Sequence, residues 1–170
     1  MKKAVAAIVS FAVASTASLS TTAQSMNHLQ SDLQTLLSIN SEIECLAKNI
    51  YFETHASSLA DAMSVSDVVL NRVESTRYPN TICEVVQQGY RKGRRDCQFS
   101  WYCDGKSDNP RNQEAWTRSL KFANDMYSYG AYRGITEGST HYHATYVKPY
   151  WAPSLDRVGR IGAHIFYRAK

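Results

Sequence analysis

Residues 42–73 read EIECLAKNIYFETHASSLADAMSVSDVVLNRV, and this stretch decides the fold class. Ile43, Leu46, Ala47, Ile50 and Tyr51 recur at intervals of three and four, the spacing that lines one face of an α-helix. Glu53 falls on that same face, seven residues after Leu46 and three after Ile50. Ser58 followed by Asp61 has the form of a capping box, a hydroxyl at a helix start answered by an acidic group three positions later. It opens a second helix with Leu59, Ala62, Met63, Ser66, Leu70 and Val73 facing inward, joined to the first by a tight turn around His55 to Ser57. Two amphipathic helices in close succession predict a mainly α domain.

Downstream, Tyr78-Pro79-Asn80-Thr81 resets the chain before a short helix bearing Ile82, Val85 and Val86, with Asn80 as its expected cap and Gly89 as its stop. Tyr90 to Asn112 reads as loop, carrying Arg91, Lys92, Arg94 and Arg95, then a segment bounded by Cys97 and Cys103, then the turn signals Asp104-Gly105 and Asn109-Pro110. A helix follows from about Gln113 to Tyr129, with Trp116, Leu120, Ala123 and Tyr127 on one face and Gly130 ending it. After Gly138, Thr140, Tyr142 and Ala144 alternate with His141, His143 and Thr145, the period of a short strand. An apolar segment at Ile161 to Tyr167 completes an α+β domain with a small β element.

Upstream, Lys2 and Lys3 precede an apolar run from Ala4 to Ala14 and then small and hydroxyl residues up to Thr21-Thr22-Ala23, the three regions of a secretory signal peptide, with cleavage expected after Ala23. The run is far short of the roughly 20 residues a membrane span needs. Residues 24–41 carry Leu29, Leu33, Leu36 and Leu37 in a polar, serine-rich background and read as a short helix or leader, leaving 42–170 as the working domain. The chain has 170 residues, 44% of them apolar, enough for one buried core. Removing residues 1–23 lowers the formal charge from +4 to +2, too slight for a nucleic-acid partner, which demands a strongly basic patch. Export puts Cys45, Cys83, Cys97 and Cys103 in an oxidising compartment, where four cysteines without metal-type spacing form two disulfides, the pairing left open by sequence.

Glu53 is the sharpest chemical candidate. A carboxyl on the apolar face of a helix near its end loses hydration, which raises its proton affinity and suits it to protonate a glycosidic oxygen. The competing reading is an end-of-helix glutamate that reaches solvent or pairs with Arg72. Between the two cysteines, Gln98-Phe99-Ser100-Trp101-Tyr102 combines an amide, a hydroxyl and aromatic rings, a mixture that suits sugar hydroxyls and the apolar faces of pyranose rings. That Phe99 and Trp101 anchor the core beneath a long loop stays open beside it. His141 and His143 share one strand face and with His164 could ligate zinc, but a His-x-His pair with no third ligand fixed by spacing more often lines a polar cleft, so neither metal nor cofactor is expected.

Five segments in order, Glu44–Glu53 (ECLAKNIYFE), Val68–Val73 (VVLNRV), Tyr78–Cys83 (YPNTIC), Gln98–Trp101 (QFSW) and His141–Ala144 (HYHA), resemble the SleB-type cell wall hydrolase family, which includes spore cortex-lytic enzymes. The likeness runs from about Glu42 to Arg168. It implies a lysozyme-like, lytic transglycosylase-like catalytic domain acting on peptidoglycan, with Glu53 as general acid and base. One departure stands out. Where the family usually continues Glu-Ala-Arg-Gly-Glu, this chain reads Glu53-Thr54-His55-Ala56-Ser57, without the arginine or the second carboxylate.

Hydrolysis by two carboxylates needs a partner acid about 5 to 9.5 Å away, for which Asp104 and Glu137 are the available stand-ins. A transglycosylase needs one glutamate, which protonates the leaving oxygen and then deprotonates the muramoyl C6 hydroxyl as a 1,6-anhydro ring closes. The expectation is therefore an exported, monomeric enzyme of the periplasm, cell surface or wall, cleaving between N-acetylmuramic acid and N-acetylglucosamine. Glu53 is catalytic in this reading, and Gln98, Ser100, Trp101, Tyr142 and His143 line the glycan cleft. The alternatives are an N-acetylmuramoyl-L-alanine amidase and a non-catalytic peptidoglycan-binding protein.

Overall fold

The computed structural model describes residues 14–54, 58–91 and 96–170, with side-chain environments from Thr22 onward. The chain divides into two compact units between Ile39 and Asn40. The helix expected to begin at Glu42 is the last part of α1 (Ala14–Thr54), a single helix of 41 residues. Residues 24–41 contain neither glycine nor proline, so nothing in the backbone chemistry stops the helix at the predicted boundary. In the first unit Met26, Leu29, Leu33, Leu36 and Leu37 are exposed along it. The predicted cleavage point after Ala23 falls within α1, and Lys2, Lys3 and most of the apolar leader run lie outside the described residues. No helix among the described residues is long and apolar enough to cross a membrane.

The second unit is built around α2 (Leu59–Val73). Ser58 caps it by accepting the Asp61 amide at 3.0 Å and donating its hydroxyl to Asp61 Oδ2 at 2.6 Å. Every residue from Asp61 to Val69 is buried, so α2 is a central helix and not the one-sided helix its apolar spacing implies. Two of its serines answer their own burial, Ser64 donating to the Asp61 carbonyl and Ser66 to that of Ala62. Leu59, predicted to face inward, is exposed at the helix start. Leu46, Ala47 and Ile50 of α1 pack with Met63 and Val69 of α2 in the main core.

Helix α3 (Ile82–Val86) is capped by Thr81, one residue after the expected Asn80, and a disulfide from Cys83 to Cys45 ties it to α1. Helix α4 (Gln113–Tyr129) matches its predicted limits, with Asn112 capping the start and Gly130 ending it at a left-handed φ of 62°. Its buried face is Ala115, Ser119, Ala123 and Met126, while Trp116, Leu120 and Tyr127 lie at the core margin. Tyr51 fixes the approach to this helix, its hydroxyl accepting the Arg111 and Asn112 amides at 3.1 and 3.0 Å.

The predicted strand is β1 (His141–Ala144); the final apolar segment contributes to β2 (Asp156–Ile161) and β3 (His164–Arg168), giving an antiparallel sheet in the order β1-β3-β2. Tyr142 pairs with Phe166 and Ala144 with His164. Between α4 and the sheet, residues 130–139 wrap around one fully buried carboxylate. Asp67 accepts the Gly134 and Thr136 amides at 3.0 Å each and the Thr136 hydroxyl at 2.6 Å, and pairs with Arg133.

Candidate active site

A cavity of about 300 Å³ opens where the end of α1, α2, the Cys97–Ser100 segment, β1 and β3 meet. Glu53 enters it from the penultimate position of α1. The helix closes on Thr54, whose hydroxyl turns back to the Ile50 carbonyl at 2.8 Å. Tyr142, on the face of β1 turned to the helices, donates its hydroxyl to Glu53 Oε2 at 3.0 Å. Burial raises the Glu53 carboxyl above the ordinary carboxylate range, opposed by the Tyr142 hydroxyl and the nearby His164 and Arg72. Tyr142 is itself held well above its usual range by burial and the Glu53 charge. Burial thus shifts both groups toward their protonated forms, the direction that suits Glu53 to give up a proton.

Arg72 of α2 lines the floor of the cavity, only 2% exposed. It does not bond to Glu53. Its Nε donates to the Thr140 carbonyl at 2.8 Å, and its guanidinium lies 5.3 Å from the ring centres of both Tyr78 and Phe99. Burial lowers its proton affinity, opposed by Tyr142, Tyr78 and Glu53. Its positive charge favours the ionised form of Glu53, against the effect of burial.

Gln98 and Ser100 line the cavity with Phe99 between them, and the Cys97–Cys103 disulfide closes the segment they stand on. Trp101, expected on the cleft wall, lies in the core. Its ring stacks on Phe52 at 4.7 Å and its Nε1 donates to the buried Asn49 Oδ1 at 3.1 Å. Indole placement is decided by that internal acceptor, which satisfies the one polar atom of the ring without solvent.

The three histidines do not converge. His143 lines the cavity with both nitrogens engaged, Nδ1 on the Ala144 carbonyl at 2.9 Å and Nε2 on the Tyr167 hydroxyl at 3.0 Å. Since a carbonyl only accepts, Nδ1 carries the proton and the Tyr167 hydroxyl donates to Nε2. His141 bonds to the Thr140 hydroxyl at 3.0 Å and does not line the cavity. His164 lines the cavity but turns Nδ1 to Asp61 Oδ1 at 3.1 Å. Among the described residues no group of three or more His, Cys, Asp or Glu side chains is placed to hold a metal ion.

Of the six predicted site residues the fold brings together Glu53, Gln98, Ser100, Tyr142 and His143, and sets Trp101 apart. Sequence reasoning did not assign Arg72, His164 and Tyr146 to the cavity wall. Tyr146 is 87% exposed at the rim, an aromatic whose position after β1 was the available signal. Neither stand-in for a second carboxylate reaches the cavity. Asp104 is occupied beyond the disulfide with the Lys106 amide at 2.8 Å, and Glu137 borders a different cavity with Asn71 and Arg168. Glu53 is the one carboxylate among the described residues lining its own cavity. The turn at His55 to Ser57, the Ser57 departure and residues 92–95 of the basic loop lie outside the described residues.

Over residues 57–167 the sequence matches the cell wall hydrolase family. Two solved structures share the fold. The catalytic domain of the Bacillus cereus SleB protein aligns with a TM-score of 0.55 at 23% identity, covering 76% of this chain and 91% of that one. The catalytic domain of a germination-specific lytic transglycosylase, SleB of Bacillus anthracis, aligns with the same TM-score and identity, covering 75% and 93%. Among curated proteins none matches.

Proposed function

Because this chain belongs to the cell wall hydrolase family, we propose that it cleaves the glycan strand of peptidoglycan between N-acetylmuramic acid and N-acetylglucosamine, as a lytic transglycosylase using Glu53. The observation that carries this reading is the Glu53 carboxyl set among Tyr142, Arg72 and His164, its proton affinity raised by burial, with no second carboxylate among the described residues of the cavity wall. One such group can protonate the glycosidic oxygen as the bond breaks. A water-activating mechanism requires a second carboxylate facing the sugar from the other side. Without it, the muramoyl C6 hydroxyl is the nucleophile at hand, and the product carries a 1,6-anhydro ring. Gln98 and Ser100 supply the polar contacts that orient the sugars, while Tyr142 and His143, their polar atoms bonded within the protein, shape the cleft wall.

The enzyme acts outside the cytoplasm in this reading. The Cys45–Cys83 and Cys97–Cys103 disulfides agree with an oxidising compartment, as does the leader-like stretch ending at Ala23. Mass spectrometry of purified sacculi digested with the full chain tests the chemistry. Anhydromuropeptides that vanish with Glu53→Gln are the expected result. Reducing-end saccharides would make the enzyme a muramidase or glucosaminidase, free stem peptides an amidase, and binding without any soluble product a wall-binding protein.

A further inference from the structure

The cavity holds two histidines with opposite fates. His143 has both ring nitrogens committed inside the protein. His164 has one. Its Nδ1 faces Asp61 Oδ1 at 3.1 Å, and since a carboxylate accepts, Nδ1 donates there, which leaves Nε2 as the acceptor nitrogen of the neutral ring. Nε2 has no hydrogen-bond partner among the described residues, on a side chain that lines the same cavity as Glu53.

The carboxylate behind this ring is fixed from every side. Asp61 Oδ1 also accepts the Ala163 amide at 2.9 Å, and Oδ2 accepts the Ser58 hydroxyl at 2.6 Å. Burial alone would raise its proton affinity, but Ser58, Ala163 and His164 together hold Asp61 below the ordinary range, so it faces the ring as an anion. The ring is also held by its neighbours. Tyr142 meets it edge to face at 5.2 Å between centres, and the same Tyr142 donates to Glu53. The groups around His164 are thus Asp61 and Arg72 from α2, Glu53 from α1 and Tyr142 from β1.

We propose that His164, oriented by Asp61, is a second catalytic residue: the base that takes the proton of the attacking hydroxyl while Glu53 serves as the acid. The inference rests on the transglycosylase reading above and divides between two side chains the work there given to one. The Glu53 carboxyl delivers its proton to the glycosidic oxygen, and the C1–O bond breaks with its electron pair leaving on that oxygen. The C6 hydroxyl oxygen bonds to C1, and its proton passes to His164 Nε2. The resulting imidazolium lies against the Asp61 anion and across the cavity from the Glu53 carboxylate. Transfer of that proton back to Glu53 restores both groups, and no water is consumed. Asp61 acts here as an orienting partner, as in carboxylate–histidine pairs generally.

The test separates proton transfer from packing. His164→Gln keeps an amide N–H that can donate to Asp61 but cannot accept a proton at neutral pH. His164→Ala leaves a space for added imidazole. With the full chain acting on purified peptidoglycan, both variants should lower kcat by about 10²–10⁴-fold, the usual worth of a general base, with KM little changed. Imidazole should restore His164→Ala at least about tenfold and leave Glu53→Gln inactive. A thermal unfolding midpoint of His164→Gln near that of the parent shows that the fold is intact. Near-parental kcat in His164→Gln overturns the proposal, because only the hydrogen bond to Asp61 would then matter, and so does His164→Ala that imidazole leaves unrestored. The parent's own products report separately on the reaction type, so a failed transglycosylase reading shows there and not in the histidine variants.

Discussion

Replacing Gly162 by alanine should damage the protein far more than the same change at Gly105, a left-handed glycine in open space. Gly162 turns the chain between β2 and β3 with φ of +54°, and a Cβ there would sit 2.6 Å from Asp61 Cγ and 2.7 Å from Oδ2. Gly105 has a φ of +81° and nothing within 4 Å of its virtual Cβ. Gly105→Ala thus carries only the conformational cost of the left-handed region, about 1–2 kcal/mol. Gly162→Ala carries that cost and must also displace Asp61, straining the contacts with Ser58, Ala163 and His164. Overpacking costs about 1–3 kcal/mol, and a weakened hydrogen bond to a charged group about 1.5–3 kcal/mol. With partial relaxation the total comes to about 3–5 kcal/mol. Urea unfolding of the full chain, followed by far-ultraviolet circular dichroism, measures both variants against the parent. The decisive control is Asp61→Ala, in whose background Gly162→Ala should cost only about 1–2 kcal/mol, the left-handed penalty alone. If Gly162→Ala matches Gly105→Ala, or if its cost is the same with and without Asp61, the reasoning fails.

Glu53→Gln should stabilise the protein at neutral pH. The folded state raises the Glu53 carboxyl, so its contribution to stability is full in acid and lost as pH rises through the folded value; thermal unfolding across pH should show the variant's advantage above that point and its disappearance in acid. Tyr142→Phe removes the hydroxyl that holds Glu53 down, so the alkaline limb of the pH–rate profile should move upward and kcat should fall about ten- to hundredfold, the worth of a hydrogen bond to a charged group. An unmoved limb would detach Tyr142 from the acid. Asp67→Ala should cost about 3–5 kcal/mol, since it leaves the Gly134 and Thr136 amides and the Thr136 hydroxyl without their acceptor, with hydrogen exchange accelerating first in residues 130–139. Trp101→Ala should cost about 3–5 kcal/mol in urea unfolding, while Tyr146→Ala should leave stability unchanged and raise KM for peptidoglycan.

The elements legible in the sequence are those whose determinants are local. Ser58 with Asp61, and Asn112 with Gly130, mark helix ends by short-range hydrogen bonding, and the strand at His141–Ala144 shows its alternation directly. Glu53 was legible because three residues before it an isoleucine fixes the buried face. The small sheet was harder. β2 carries Asp156, Arg157 and Arg160 and breaks register between Arg157 and Gly159, so no clean alternation survives to be read. The long reach of α1 was hidden because its polar residues show a weak helical preference that only the absence of breakers reveals. Trp101 and His164 illustrate the limit for sites. The indole turns inward because Asn49 waits beneath it, and the imidazole enters the cavity because β3 pairs with β1. Both facts depend on partners more than 50 residues away, Asn49 from Trp101 and Asp61 from His164.

Asp61 completes a helix start, pins a hairpin and backs a histidine with one carboxylate. Positions 58, 61, 162 and 164 are therefore not free to drift separately through descent. A lineage that enlarged the turn residue would have to surrender the acid, and one that surrendered the acid would loosen both the helix start and the ring at the same moment. Such a quartet passes intact or is rebuilt together. The inconspicuous turn glycine thus becomes a marker by which the histidine pair can be traced, or its loss dated, among related chains.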